Sequence, residues 1–200
     1  MKLRRYLLVF VLASALLGSP ACSFSPMLKK GESVPDGKVL VIGKITVDPP
    51  VYKPGERPAP DDEAQAVVLV GMTNDLSKPF KEGAFNVPDE ALDPFPEDLF
   101  YALLSPGVRY IRNGQVRKPV VVLGHAEFEV IDFYRNIKLE VPARAKAVYI
   151  GTIHYKRNGK KVLSVSVRDD YEQAMQEFAR MKVPGVKPGD VVKRIAVLMK

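Results

Sequence analysis

The chain reads as a mainly β protein: an antiparallel β-sandwich of about eight strands with one C-terminal amphipathic helix near 170–182. Three observations predict this. Short apolar runs rich in Val and Ile alternate with turn clusters, which is the pattern of strands. The 17 Pro and 14 Gly are spread through those clusters and punctuate the runs. Only one stretch, from Tyr171 to Ala179, places its apolar residues at helical spacing. A chain of 200 residues has room for one sizeable core. The expected division is 1–21 as a signal segment, 22–38 as a flexible tether, and 39–200 as a single domain.

In order, Val39 to Val47 is rich in β-branched residues and stops at Asp48-Pro49-Pro50, because proline has no N–H for a ladder. Residues 53–65 form a charged, Pro-rich loop. Ala66 to Thr73 is apolar on both faces and so is expected to be central. Residues 74–98, with four prolines, read as one long loop. Leu99 to Leu104 is a short strand before the turn Ser105-Pro106-Gly107. Val108 to Arg112 leads into Asn113-Gly114, a strong hairpin signal.

Pro119 to Phe133 is a long strand with Gly124 as a natural bend. Val120, Val122, Ala126, Phe128 and Val130 share one face; His125, Glu127 and Glu129 share the other. Asn136 to Val141 alternates cleanly. Ala147 to Tyr155 and Val162 to Arg168 flank Asn158-Gly159, and a two-residue turn there sets the register. Tyr155 then lies opposite Val162, His154 opposite Leu163 and Ile150 opposite Val167. The core face should collect Val148, Ile150, Thr152, Leu163, Val165 and Val167. Asp169-Asp170 can cap the helix, with Glu172 or Gln173 at the capping-box position. Val183-Pro184-Gly185 ends it, and Val191 to Met199 is read as a last strand, with a short helix as the alternative.

The first residues have a different role. Met1 to Arg5 (MKLRR) is cationic, Tyr6 to Leu17 is apolar, and Gly18 to Ala21 are small or turn-forming residues. That is the three-part layout of a secretory signal. The apolar part is too short to span a hydrocarbon core, which needs ~20 residues. The single cysteine, Cys22, follows directly. In this segment the chain resembles a bacterial lipoprotein precursor, although Ser19-Pro20-Ala21 stands where Leu-Ala-Gly is usual. The resemblance implies that Cys22 receives a diacylglycerol and becomes the new N-terminus. It also implies that Ser23, in the following position, favours the outer membrane. Cleavage after Ala21 by an ordinary signal peptidase, leaving Cys22 free, is the alternative. Leu104-Ser105-Pro106-Gly107-Val108-Arg109-Tyr110 and Val148 to Ile153 weakly resemble segments of envelope lipoproteins with prealbumin-like or carboxypeptidase-regulatory-like sandwiches. No catalytic residues come with that likeness.

Composition limits the chemistry. One Cys excludes an internal disulfide framework and a Cys-cluster zinc site, and two His argue against a His-rich metal centre. Without Lys2, Arg4 and Arg5 the cations number 27 against 23 acids, a charge of +4 that gives nucleic-acid binding little support. The best metal candidate, His125 with Glu127 and Glu129, stands ~6–7 Å apart along one strand face, so it reads as a solvated polar stripe. His154 is a general-base candidate without an evident nucleophile. Ser164 and Ser166 lie outside any Gly-x-Ser-x-Gly elbow.

The acidic stretch 88–98 lacks the spacing of a calcium loop and reads as solvated loop. Phe80, Phe85 and Phe95 within the long loop are candidate contacts for a partner or for the sheet edge. Arg112, Arg117 and Lys118, and Lys156, Arg157, Lys160 and Lys161, are expected at hairpin tips, with Lys29 and Lys30 near the anchor. No catalytic residue, metal ligand or cofactor is assigned. The expectation is a lipid-anchored, non-catalytic binding or assembly module. It would sit in the bacterial envelope at the outer membrane, facing the periplasm, with another envelope protein or a polysaccharide as partner. The alternatives are an envelope hydrolase using His125, Glu127 and the 74–98 loop, and a carbohydrate-binding sandwich using Tyr101, Tyr110, Tyr149 and Tyr155.

Overall fold

The computed structural model describes residues 23–24, 27–52, 66–78, 90–122 and 125–199. The signal segment, Cys22, and residues 79–89 with Phe80 and Phe85 lie outside them. The strands are β1 (Ser23–Phe24), β2 (Val39–Asp48), β3 (Val67–Thr73), β4 (Glu90–Leu92), β5 (Leu99–Leu104), β6 (Gly107–Val122), β7 (His125–Val141), β8 (Ala147–Asn158), β9 (Lys161–Arg168), β10 (Val191–Lys193) and β11 (Val197–Leu198). The helix α1 is Tyr171–Met181, as the apolar stripe predicts.

These strands form two sheets. The first runs β1-β4-β3-β6-β7-β11. The second runs β10-β8-β2-β5, with β9 also on β8. Between them lies a core built from Val41, Ile45 and Tyr155 on one side and Val68, Ile111 and Phe133 on the other. The second sheet is covered on its outer face as well. There Leu40, Ile42 and Tyr149 pack against Ala174, Met175 and Phe178 of α1.

That double cover explains a departure from the expected antiparallel arrangement. β2 pairs in parallel with β8, and β8 in parallel with β10. Parallel pairs are normally buried on both faces and read as continuous apolar runs. Val39-Leu40-Val41-Ile42 and Ala147-Val148-Tyr149-Ile150 are such runs, and all eight residues are buried.

The 74–98 segment is not loop throughout, since Glu90–Leu92 pairs with β3. The segment expected as tether is partly built into the domain. Leu28 is buried, its N–H bonds the Tyr101 carbonyl, and Met27 bridges to Ala102. The last stretch divides into β10 and β11, one in each sheet.

Asn113-Gly114 makes no turn. β6 passes straight through it, and Gly114 pairs with Phe133 of β7. Val122 pairs with His125, and the expected bend at Gly124 lies outside the described residues. Asn136 to Val141 is the continuation of β7. The glycine at 114 answers a packing need instead: a Cβ there would fall inside the Phe133 ring, which is fixed against Tyr155 at 4.1 Å between centroids.

The β8–β9 hairpin closes one step later than expected, with Asn158 opposite Lys161. Tyr155 faces Val165 and His154 faces Ser166. Leu163 is the extra residue of a bulge and is pushed outward, 51 % exposed. A second bulge lies in β8, where Ile150 and Gly151 occupy the space of one β2 residue. Gly151 has a φ of +95°, which a side chain rarely adopts. Past it the alternation is inverted: Ile153 and Tyr155 enter the core, and Thr152 turns to the helix side instead of the expected core face.

Gly114→Ala is therefore expected to cost about 1–3 kcal/mol, the overpacking range. Urea titration of the variant measures it, and Gly114→Ala combined with Phe133→Leu should recover part of the loss.

Candidate functional site

The Gly151 bulge decides what the outer face of the second sheet shows. β2 contributes Lys44 and Thr46 there, beyond the apolar positions covered by α1. Lys44 stands opposite Thr152, and Thr152 opposite Arg168, forming one polar row across three strands. The adjacent row is Thr46, His154 and Ser166. Over the first row lies one face of the helix start, carrying Asp170, Gln173, Ala174 and Glu177. Together with Glu97 and Leu99 these enclose a cleft of about 120 Å³.

Each wall has its own support. Glu97 is tied to β2 twice: its N–H donates to the Ile45 carbonyl at 2.8 Å, and its Oε1 accepts the Val47 N–H at 2.9 Å. Its φ of 69° is a left-handed value that a non-glycine residue adopts at some cost. At the helix start the two aspartates divide the work. Asp169 accepts the Tyr171 N–H at 3.3 Å and pairs with Lys193 at 2.9 Å. Asp170 stands at the cap position, yet its side chain makes no capping bond, contrary to the expected capping box. Asp170 is also one of the residues lining the cleft.

His154 sits beside this site. Its Nδ1 lies 2.8 Å from Thr46 Oγ1. Burial lowers its pKa, and the Arg168 guanidinium adds to the lowering, against the opposing pull of Asp48 and Glu97. The neutral ring is thus favoured in the fold. A folded pKa below the unfolded value means that stability is lost as pH falls from about 6.5 through the folded pKa, because the unfolded chain takes the proton more readily.

Tyr149 lies under the helix start, its ring edge-on to Tyr171 at 5.5 Å. Its hydroxyl is buried without a hydrogen-bond partner in the protein. Burial raises its pKa, and the nearby Thr152 side chain and Asp170 backbone act to lower it. Both of those residues line the cleft.

The other candidates fall elsewhere. The side chains of His125 and Glu127 lie outside the described residues, and the backbone at 125 stands in the first sheet while His154 stands in the second. Among the described residues no group of three or more His, Cys, Asp or Glu is placed to hold a metal ion. Ser166 is the cross-strand neighbour of His154. Of the acidic stretch, Glu90 pairs with Arg109 at 2.8 Å and Glu97 lines the cleft. Phe95 is 40 % exposed.

Tyr149 and Tyr155 are buried and offer no stacking platform, and Tyr101 packs on Phe178 at 6.0 Å. Arg112 is a mid-strand residue that donates to the Lys78 carbonyl. Arg157 donates to the Pro49 and Pro50 carbonyls at 2.9 and 3.1 Å, so it fastens a loop rather than extending into solvent. Lys118 donates to the Val51 carbonyl and lies over the Tyr52 ring.

The sequence did not single out Lys44, Arg168 or Glu177, and it placed Thr152 on the core face. The visible signal was Lys44, a charge set within an apolar β-branched strand. Comparison with protein-family models, with curated proteins and with solved structures finds no match. No helix among the described residues is long and apolar enough to cross a membrane.

Arg168→Gln is expected to raise the His154 titration midpoint toward 6.5, and its ring C–H resonances followed by NMR against pH will read the shift.

Proposed function

We propose that this protein is an exported, lipid-anchored binding or assembly module of the bacterial envelope, held at the outer membrane and facing the periplasm. The observation that carries the reading is Cys22: the only cysteine of the chain stands directly behind a cationic, apolar and small-residue segment. An exported chain with one thiol needs a use for it, and acylation supplies one. We read the two-sheet body, with its shared core and docked helix, as a β-sandwich adapted by parallel pairs at its covered centre.

The geometry of the folded part supports a short attachment. Leu28 is buried, six residues after Cys22. Six extended residues reach at most about 20 Å, so an acyl chain on Cys22 holds the domain against its membrane. Binding, not turnover, is supported by the cleft. It joins cations, carboxylates and a hydroxyl, while the neighbouring histidine is engaged at Nδ1 by Thr46.

Two measurements test the reading. Labelled palmitate should enter the wild-type chain and not Cys22→Ala, and the variant should move from the membrane to the soluble fraction. A wild-type chain that takes up no label overturns the anchor. Separately, detergent extraction after crosslinking should recover the protein with a defined envelope partner; recovery of the protein alone counts against the assembly role.

A further inference from the structure

We infer that the cleft between α1 and the second sheet is a binding site for a small zwitterion, one carrying an ammonium and a carboxylate. The ligand is a free amino acid, which carries both charges on one small molecule. The assignment rests on the binding-module reading and names the ligand class of its site.

The first argument is how charge is divided. The sheet floor supplies Lys44 and Arg168, one on each side of Thr152. The helix wall supplies Asp170 and Glu177, and Glu97 closes the side. Positive floor and negative wall face each other across the cleft. The ion pairs within 4.0 Å among the described residues are Arg109–Glu90 and Lys193–Asp169, and neither involves these groups. Opposite charges lining one cavity without touching are complementary to a ligand that bears both. A carboxylate meets the cations and Thr152, and an ammonium meets Asp170 and Glu177. A purely anionic ligand would meet three carboxylates, and a purely cationic one would meet Lys44 and Arg168.

The second argument is independent of charge. Tyr149 is fully buried, yet its hydroxyl has no partner in the protein. A buried polar group left unmatched costs about 1–3 kcal/mol. It lies beside Thr152 and the Asp170 backbone, and both of those residues line the cleft. Asp170 adds a third point, because it holds the helix cap position without capping.

Size sets the upper limit. About 120 Å³ is well below the 300–1,000 Å³ of sites for drug-sized ligands. It suits a single small amino acid.

The probe is alanine, added to the purified full-length protein while the backbone amides of Thr152 and Gln173 are followed by NMR. The expected result is a saturable shift with a Kd of about 10 mM or tighter. N-acetylalanine, which lacks the ammonium, and alaninamide, which lacks the carboxylate, should bind at least about tenfold more weakly. Arg168→Gln and Glu177→Gln, each checked for an unchanged fold by circular dichroism, should each weaken alanine to the same degree. The assignment is overturned if alanine produces no saturable shift, if either single-charge analogue binds as well, or if both variants retain full affinity. Palmitate incorporation is independent of this result, so failure here leaves the anchor standing, and failure of the anchor leaves the cleft standing.

Discussion

One strand is covered on both sides, and the rest of the architecture follows from it. β8 is enclosed by the first sheet on its inner face and by α1 on its outer face, and three other strands bond to its edges. β2 takes one edge along most of its length, while β10 and β9 share the other. A strand buried on both faces must carry apolar residues in succession. It cannot do so along its whole length without forfeiting any polar surface nearby. The glycine at 151 resolves the conflict. One extra residue in left-handed conformation changes which side chains point inward, so the same strand is apolar through Ile150 and two-faced from Thr152 onward. The handover from β10 to β9 occurs at the same place. A side chain at 151 would lie 2.9 Å from the Arg168 carbonyl, so position and residue type are mutually fixed.

The polar cleft is the counterpart of that inversion. Without it Thr152 would be in the core and the row Lys44–Thr152–Arg168 would be broken in the middle. The helix contributes by ending its apolar contact early. Ala174, Met175 and Phe178 bind the covered half of the sheet, while Asp170, Gln173 and Glu177 extend over the uncovered half. One short helix is thus both a packing element and a wall. Burial of the Tyr101 ring beneath it, with Glu177 adding to the effect, pushes that phenol up to about 12.

The strands Val39–Val47, Leu99–Leu104 and Val162–Arg168 were legible within a residue or two, because branched apolar runs bounded by proline or glycine have few other uses. The helix was legible from its stripe. Three glycines were not. Gly114 follows Asn113 and has the local chemistry of a tight turn, but its environment is set by Phe133, which lies far along the chain. Gly151 sits in an unbroken apolar run, where nothing local distinguishes a bulge from regular strand. Gly159 does turn the chain, yet one residue late, and the bulge at Leu163 then changes which side of β9 meets the core. In each case a tertiary contact selected among conformations that the local sequence allows equally. The cleft escaped notice for a related reason. Its charges come from four separated segments, and only Lys44 is out of place in its own.

The parallel pairing of β2 with β8 also orders events in time. Thr46 and His154 touch across a separation of 108 positions. One edge of β2 can meet β5 early, but its other edge must wait for β8, more than half of the chain further on. Local hairpins such as β6–β7 close first, and the doubly covered sheet closes last. Assembly of this kind is slow, because ordering a large loop precedes the contacts that reward it. The edge left waiting runs along Leu40-Val41-Ile42, whose β8 partners Ala147-Val148-Tyr149 are equally apolar.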